Sequence, residues 1–83
     1  MIQVLLFARL RDELGTDCLR MNLPEPCTVA SLRLALQQHF PHQTDVLAAG
    51  RALVAINQAL TNDENAIVCA TDEIALLPPM TGG

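Results

Sequence analysis

The sequence predicts an α+β fold: a mixed sheet with one main helix packed on one face. Three observations carry that prediction. The most apolar segments, residues 2–8 and 73–77, lie near the two ends of the chain and have the character of central, parallel strands. A second segment, 18–23, alternates apolar and polar residues and follows the first closely enough to pair with it as a hairpin. Between that hairpin and the later strands, Val29, Leu32, Leu36 and Phe40 recur at helical spacing.

Each element has its own local reason. In residues 2–8, Ile2, Val4, Leu6 and Ala8 fall on one face at period two, and Gln3, Leu5 and Phe7 on the other. A single polar residue among those three is too few for a wet face, so the second face of this strand is at least partly covered. Residues 9–14 form a helical turn closed by Gly15, a natural left-handed stop. In 18–23, Leu19, Met21 and Leu23 share one face and Cys18, Arg20 and Asn22 the other, and Pro24 and Pro26 end the strand. Thr28 suits the N-cap of the main helix, which Pro41 halts. Residues 42–49 read as a loop or a short helix with Val46 and Leu47 tucked inward, and Gly50-Arg51 as a turn. Residues 52–56 form the next strand, Asn57-Gln58 a tight turn and Ala59-Leu60 a short returning partner. Residues 61–65 are polar and irregular, and 66–69 is too short to assign. Residues 73–77 form the last strand, terminated by Pro78-Pro79.

A hairpin, a crossover helix and further strands make the β-grasp, or ubiquitin-like, arrangement, with the first and last strands as parallel neighbours at the centre. At 83 residues the chain is one domain with one core. Residues 1–77 form the β-grasp domain, and 78–83 a flexible, extended C-terminal tail.

Composition excludes several functions. Five arginines scattered against nine carboxylates, with no lysine and a net charge of −4, do not make the basic patch that nucleic-acid binding needs. The charge either steers the domain toward a basic protein surface or simply keeps it soluble. No apolar stretch is long enough to cross a bilayer, and the apolar start has no basic lead like that of a signal peptide, so the expected location is the cytoplasm. Cys18, Cys27 and Cys69 are odd in number and lack metal-site spacing. They read as small hydrophobes in a reducing compartment rather than as persulfide carriers. His39 and His42 stand near the helix end without further ligands nearby, so no metal is expected.

The chain ends Pro78-Pro79-Met80-Thr81-Gly82-Gly83. The two prolines favour an extended path and cannot rejoin a sheet ladder. Six extended residues reach roughly 20 Å. Gly82 and Gly83, without Cβ atoms, can thread a channel too narrow for side chains. The Gly83 carboxylate is ionised and unreactive at neutral pH. Conversion to an acyl adenylate by ATP, followed by attack of a persulfide or sulfide, would turn it into a thiocarboxylate able to deliver sulfur. No side chain of this chain is needed for that chemistry; a partner must supply one.

Several segments together carry a family resemblance. They are residues 4–15 (Val-Leu-Leu-Phe-Ala-Arg-Leu-Arg-Asp-Glu-Leu-Gly), the Asn57-Gln58 turn, and residues 72–83 (Asp-Glu-Ile-Ala-Leu-Leu-Pro-Pro-Met-Thr-Gly-Gly). The chain resembles the small, sulfur-carrier subunits of molybdopterin synthase over its whole length, and the ending is the specific part. The resemblance implies that Gly83 is adenylated by a ubiquitin-activating-type adenylyltransferase at the expense of ATP, then thiocarboxylated, with Gly82 and Thr81 giving the tail access. It further implies a heterotetramer with the large subunit of the synthase, where two sulfurs pass to cyclic pyranopterin monophosphate and make the molybdopterin dithiolene. The carrier itself would not be an enzyme and would hold no permanent cofactor. Two loops depart from the family: Ala70-Thr71-Asp72-Glu73 lacks the glycine often found there, and 62–65 is irregular in length.

The apolar face opposite the main helix completes the expected site. Leu5 and Phe7 of the first strand and Ala75 and Leu77 of the last form a patch that needs a partner. Phe7, Leu77, Pro78 and Met80 are its expected contacts, with Arg11 on the polar rim. The alternatives are a sulfur carrier for a thiazole-type pathway, or a ubiquitin-like modifier or interaction module. The absence of lysine disfavours a modifier that builds chains of itself.

Overall fold

The computed structural model describes residues 1–24 and 26–79. Along them run β1 (Ile2–Leu6), α1 (Ala8–Leu14), β2 (Cys18–Met21), β3 (Cys27–Thr28), α2 (Val29–His39), β4 (Leu53–Ile56), β5 (Ala59–Thr61), β6 (Ile67–Val68) and β7 (Ile74–Leu77). Five strands form a mixed sheet in the order β2-β1-β7-β4-β5, and β3 and β6 form a separate two-stranded ribbon. β1 is antiparallel to β2, with Val4 opposite Leu19, and parallel to β7, with Leu5 opposite Ala75. β7 also pairs antiparallel with β4. The two most apolar segments thus lie side by side with partners on both flanks. This is the predicted β-grasp arrangement, with one main helix and parallel first and last strands.

The period-two and helical patterns meet in one core. Ile2, Val4 and Leu6 of β1, Ile74 and Leu76 of β7, and Val29, Leu32 and Leu36 of α2 are all buried there. Each such side chain contributes about 1.5–3 kcal/mol by leaving water. Leu10 and Leu14 of α1 join the same cluster, so both helices pack on one face of the sheet. Thr28 caps α2 as expected, its hydroxyl accepting from the Ser31 amide at 3.1 Å. Phe40 is not a helical residue: it is the half-buried C-cap, with its amide donating to the Leu36 carbonyl. Residues 42–49 run through turns rather than a helix, and Leu47 alone among them is fully buried. Gly15 closes α1 at φ +76°, the left-handed cap the sequence predicts.

One expectation needs correction, and the structure adds two further features. Ala8 does not extend the first strand. It begins α1 at φ +53° and is exposed, so the chain turns away from the sheet directly after Phe7. The second face of β1 is partly covered, with Leu5 half-buried, and without a helix over it among the described residues it opens into a groove. Residues 66–69 do contain a strand: Ile67 and Val68 pair with Thr28 and Cys27. Two residues per strand leave no periodicity to read, so only the three-dimensional pairing reveals this ribbon.

Arg33, on α2, is the one charged residue among the described residues that is buried with the core. Its Nε and Nη2 donate to the two carboxylate oxygens of Glu64 at 2.8 and 2.9 Å. Its Nη1 donates to the Leu47 and Ala52 carbonyls at 2.7 and 2.9 Å. The Glu64 carbonyl in turn accepts the Ala30 amide. A single guanidinium therefore ties α2 to the loop before β4 and to the irregular segment before β6.

Candidate functional site

The candidate site is the C-terminal end of β7 and the sheet face beside it. β7 lies between β1 and β4, and its ladder closes where the Phe7 amide donates to the Leu76 carbonyl at 3.2 Å. Beyond Leu77 the chain leaves the sheet through Pro78 and Pro79, both half-buried. Met80, Thr81, Gly82 and Gly83, the reactive end expected from the sequence, lie outside the described residues.

The face opposite α2 carries a groove lined by Leu5, Phe7, Ala55, Gln58, Leu60, Glu73, Ala75 and Leu77. Its shape follows from strand register. Leu5 stands opposite Ala75, Ala75 opposite Ala55, and Ala55 opposite Leu60, which makes one row across β1, β7, β4 and β5. The two inner positions are alanines and the two outer ones leucines, so the row is a trough with raised walls. Phe7 stands at the upper end, 43% exposed, and Leu60 is 63% exposed. Apolar side chains this open and this close together form a surface suited to a partner.

The four residues expected to make the patch, Leu5, Phe7, Ala75 and Leu77, are thus brought together. Ala55, Leu60, Gln58 and Glu73 join them without having been predicted. The hairpin at Asn57-Gln58 held the missing signal: a two-residue turn pairs Ile56 with Ala59 and then Ala55 with Leu60. Arg11 does not stand on this groove; it borders a separate hollow with Asp12, Gly15, Thr16 and Asp17. Pro78 lines a third hollow, with Arg9, Leu10, Glu13, Val46, Arg51 and Pro79.

The lower end of the groove is fixed by polar contacts. Asn57 and Gln58 take φ +53° and +71°, the left-handed pair a tight hairpin requires. The Asn57 side chain donates to Asp72 Oδ1 at 3.0 Å and accepts the Glu73 amide at 2.8 Å. Asp72 Oδ2 accepts the Cys69 amide at 2.9 Å. That amide bond, then the Asn57 amide, holds the Asp72 carboxyl below the usual carboxylate range. None of residues 70–73 has a positive φ, which explains why this turn does without the expected glycine. Among the described residues no histidine, cysteine and carboxylate group clusters as metal ligands would. Nor is any helix there long and apolar enough to cross a membrane. Cys18, Cys27 and Cys69 are half-buried.

Comparison with known proteins bears on this surface. The profile of the ThiS family matches residues 4–83. A molybdopterin synthase sulfur carrier subunit of Escherichia coli (strain K12) is 39% identical, with the whole of both chains covered. The protein of that description from Haemophilus influenzae is also 39% identical over the whole of both chains. One from Arabidopsis thaliana is 37% identical, covering 99% of this chain and 82% of its own. The crystal structure of small archaeal modifier protein 1 of Haloferax volcanii superposes with a TM-score of 0.78 at 26% identity, covering 99% of this chain and 98% of the other.

Proposed function

The chain belongs to the ThiS family, and from that premise we propose that it is the sulfur-carrier subunit of a molybdopterin synthase in molybdenum cofactor biosynthesis. The observation that carries the reading is where the tail is rooted. β7, a central strand, hands the chain to Pro78-Pro79 beside an open apolar trough, with Met80-Thr81-Gly82-Gly83 to follow. A partner seated on the trough receives the tail at a fixed distance from the docked face.

The chemistry starts from an unreactive carboxylate. A ubiquitin-activating-type adenylyltransferase joins the Gly83 carboxylate to the AMP moiety of ATP and releases pyrophosphate. Sulfide, free or released from a persulfide by a thiol, attacks the acyl carbon and expels AMP, leaving a thiocarboxylate. The loaded tail then enters the large subunit of the synthase and gives its sulfur to cyclic pyranopterin monophosphate. Hydrolysis returns the tail as a carboxylate, and a second loaded tail completes the dithiolene. The carrier supplies no acid, base or metal in these steps. Its rigid sheet aims the tail, and Gly82 and Gly83 let the backbone pass where side chains would not. The trough, with Phe7 and Leu77 on its lining, is the shared contact for large subunit and adenylyltransferase, in a cytoplasmic heterotetramer.

Intact mass tests the reading. The chain is incubated with the adenylyltransferase, ATP and a sulfur source. Exchange of one oxygen for one sulfur, abolished by deletion of Gly83, is the expected result. An unchanged mass with an active cognate enzyme leaves a ubiquitin-like interaction domain in its place.

A further inference from the structure

We propose that Arg9 and Arg51 form a cationic docking point for carboxylates on the rim of the protein channel that receives the tail; this rests on the carrier reading above. The two residues lie far apart in sequence but line one hollow at the tail root, beside Pro78 and Pro79. Among the described residues Glu13 is the only anion lining it, and its pairing with Arg9 is a single exposed contact at 3.8 Å. Such a pair is weak and exchanges easily. The Arg51 side chain has no ion-pair partner among the described residues. By contrast, Arg33 is fully engaged with Glu64 and two carbonyls.

A local excess of positive charge is unusual on a chain of net charge −4. Its position gives it a use. Leu10 and Val46, which line the hollow, belong to the core side of the sheet, whereas the apolar trough lies on the other side. The chain passes from trough to hollow within one or two residues, from Phe7 to Arg9 and from Leu77 to Pro78. The tail therefore emerges between an apolar surface and a cationic one. A protein that encloses the tail meets both, and acidic groups on its rim opposite Arg9 and Arg51 complement the second. Complementary charge at this point fixes the orientation of approach and raises the association rate.

The test compares Arg51→Glu with Arg20→Glu, which makes the same change in net charge on β2, at the far edge of the sheet. Association of each variant with the large subunit and with the adenylyltransferase is followed by stopped flow across a salt series, with thermal unfolding as a check on the fold. Arg51→Glu is expected to slow association about tenfold at low salt and to flatten its salt dependence, while Arg20→Glu changes the rate less than twofold. Arg9→Glu should act in the same direction as Arg51→Glu. Equal slowing by Arg51→Glu and Arg20→Glu, or no slowing by either, overturns the proposal, as does a higher ATP requirement for loading with partner association unchanged. If the wild-type chain binds neither partner and is never thiocarboxylated, the carrier reading falls as well. Normal loading with equal variants sinks this inference alone.

Discussion

Ala8 holds φ +53°, a region where a residue with a Cβ is strained by about 1 kcal/mol. The strain sits at the step that turns the chain from β1 into α1 and leaves Phe7 projecting at the end of the trough. Ala8→Gly relieves it and is expected to raise stability by about 0.5–1 kcal/mol in denaturant unfolding, with binding unchanged. An equal loss of stability would mean that the positive φ carries no strain here. Phe7 itself is 43% exposed, so replacing it removes little from the core. Phe7→Glu places a charge on the trough and is expected to weaken large-subunit binding at least tenfold, about 1.4 kcal/mol, while the unfolding temperature stays within a few degrees. Unchanged affinity with an intact fold would remove the trough from the interface. At this scale the sequence was partly legible. Alternation placed Leu5, Phe7, Ala75 and Leu77 on one face, but nothing in a one-dimensional pattern distinguishes a strand's last residue from a left-handed turn at Ala8.

The elements are held in place by one buried arginine as well as by apolar contact. Arg33 on α2 satisfies the carbonyls of Leu47 and Ala52 and the carboxylate of Glu64. Arg33→Ala leaves those carbonyls without their donor and is expected to cost about 2–3 kcal/mol, less than a fully buried pair because Glu64 is partly exposed. Hydrogen bonding to Arg33 holds the Glu64 carboxyl below the ordinary glutamate value. A carboxyl whose folded value is depressed stabilises the protein above its unfolded value, about 4.3, and loses that contribution as pH falls through the folded value. Glu64→Gln should therefore reduce the difference in unfolding temperature between pH 7 and pH 3, with Asp72 retaining the part that comes from its own depressed carboxyl. An unaltered difference would show that the pair is broken in solution. Helix α2, the β1–β2 hairpin and the Asn57-Gln58 turn were legible because each has a local signal: a repeat, an alternation or a turn pair. The β3–β6 ribbon and the Arg33 clamp were not. A strand of two residues has no period, and an arginine inside a helix looks solvent-facing until its partners from two distant loops are known.

In the proposed role, the whole molecule combines a C-terminus that a partner activates with a sequence free of lysine. An acyl adenylate at Gly83 is open to attack by any amine that reaches it, and a lysine side chain is the usual source. With no lysine in its 83 residues, the chain offers the tail of a neighbouring copy no side-chain amine. Positive charge is carried instead by arginine, which stays protonated and does not act as a nucleophile near neutral pH. This argues against a modifier that builds polymers through its own lysines, although the fold is shared with small archaeal modifier protein 1 at a TM-score of 0.78. The charge-conserving variant Arg20→Lys gives the test, because Arg20 is exposed on the edge strand β2 and lines neither the trough nor the hollow at the tail root. With adenylyltransferase and ATP but no sulfur source, at a pH near 9 where part of a lysine population is unprotonated, the wild-type chain should form no lysine-linked species. The Arg20→Lys chain should accumulate a covalent dimer between copies, visible by intact mass and mapped by digestion to residue 20. If the variant also stays monomeric while its adenylate forms normally, the activating enzyme shields the tail by itself. The lysine-free surface would then have no part in directing the acyl group to sulfur.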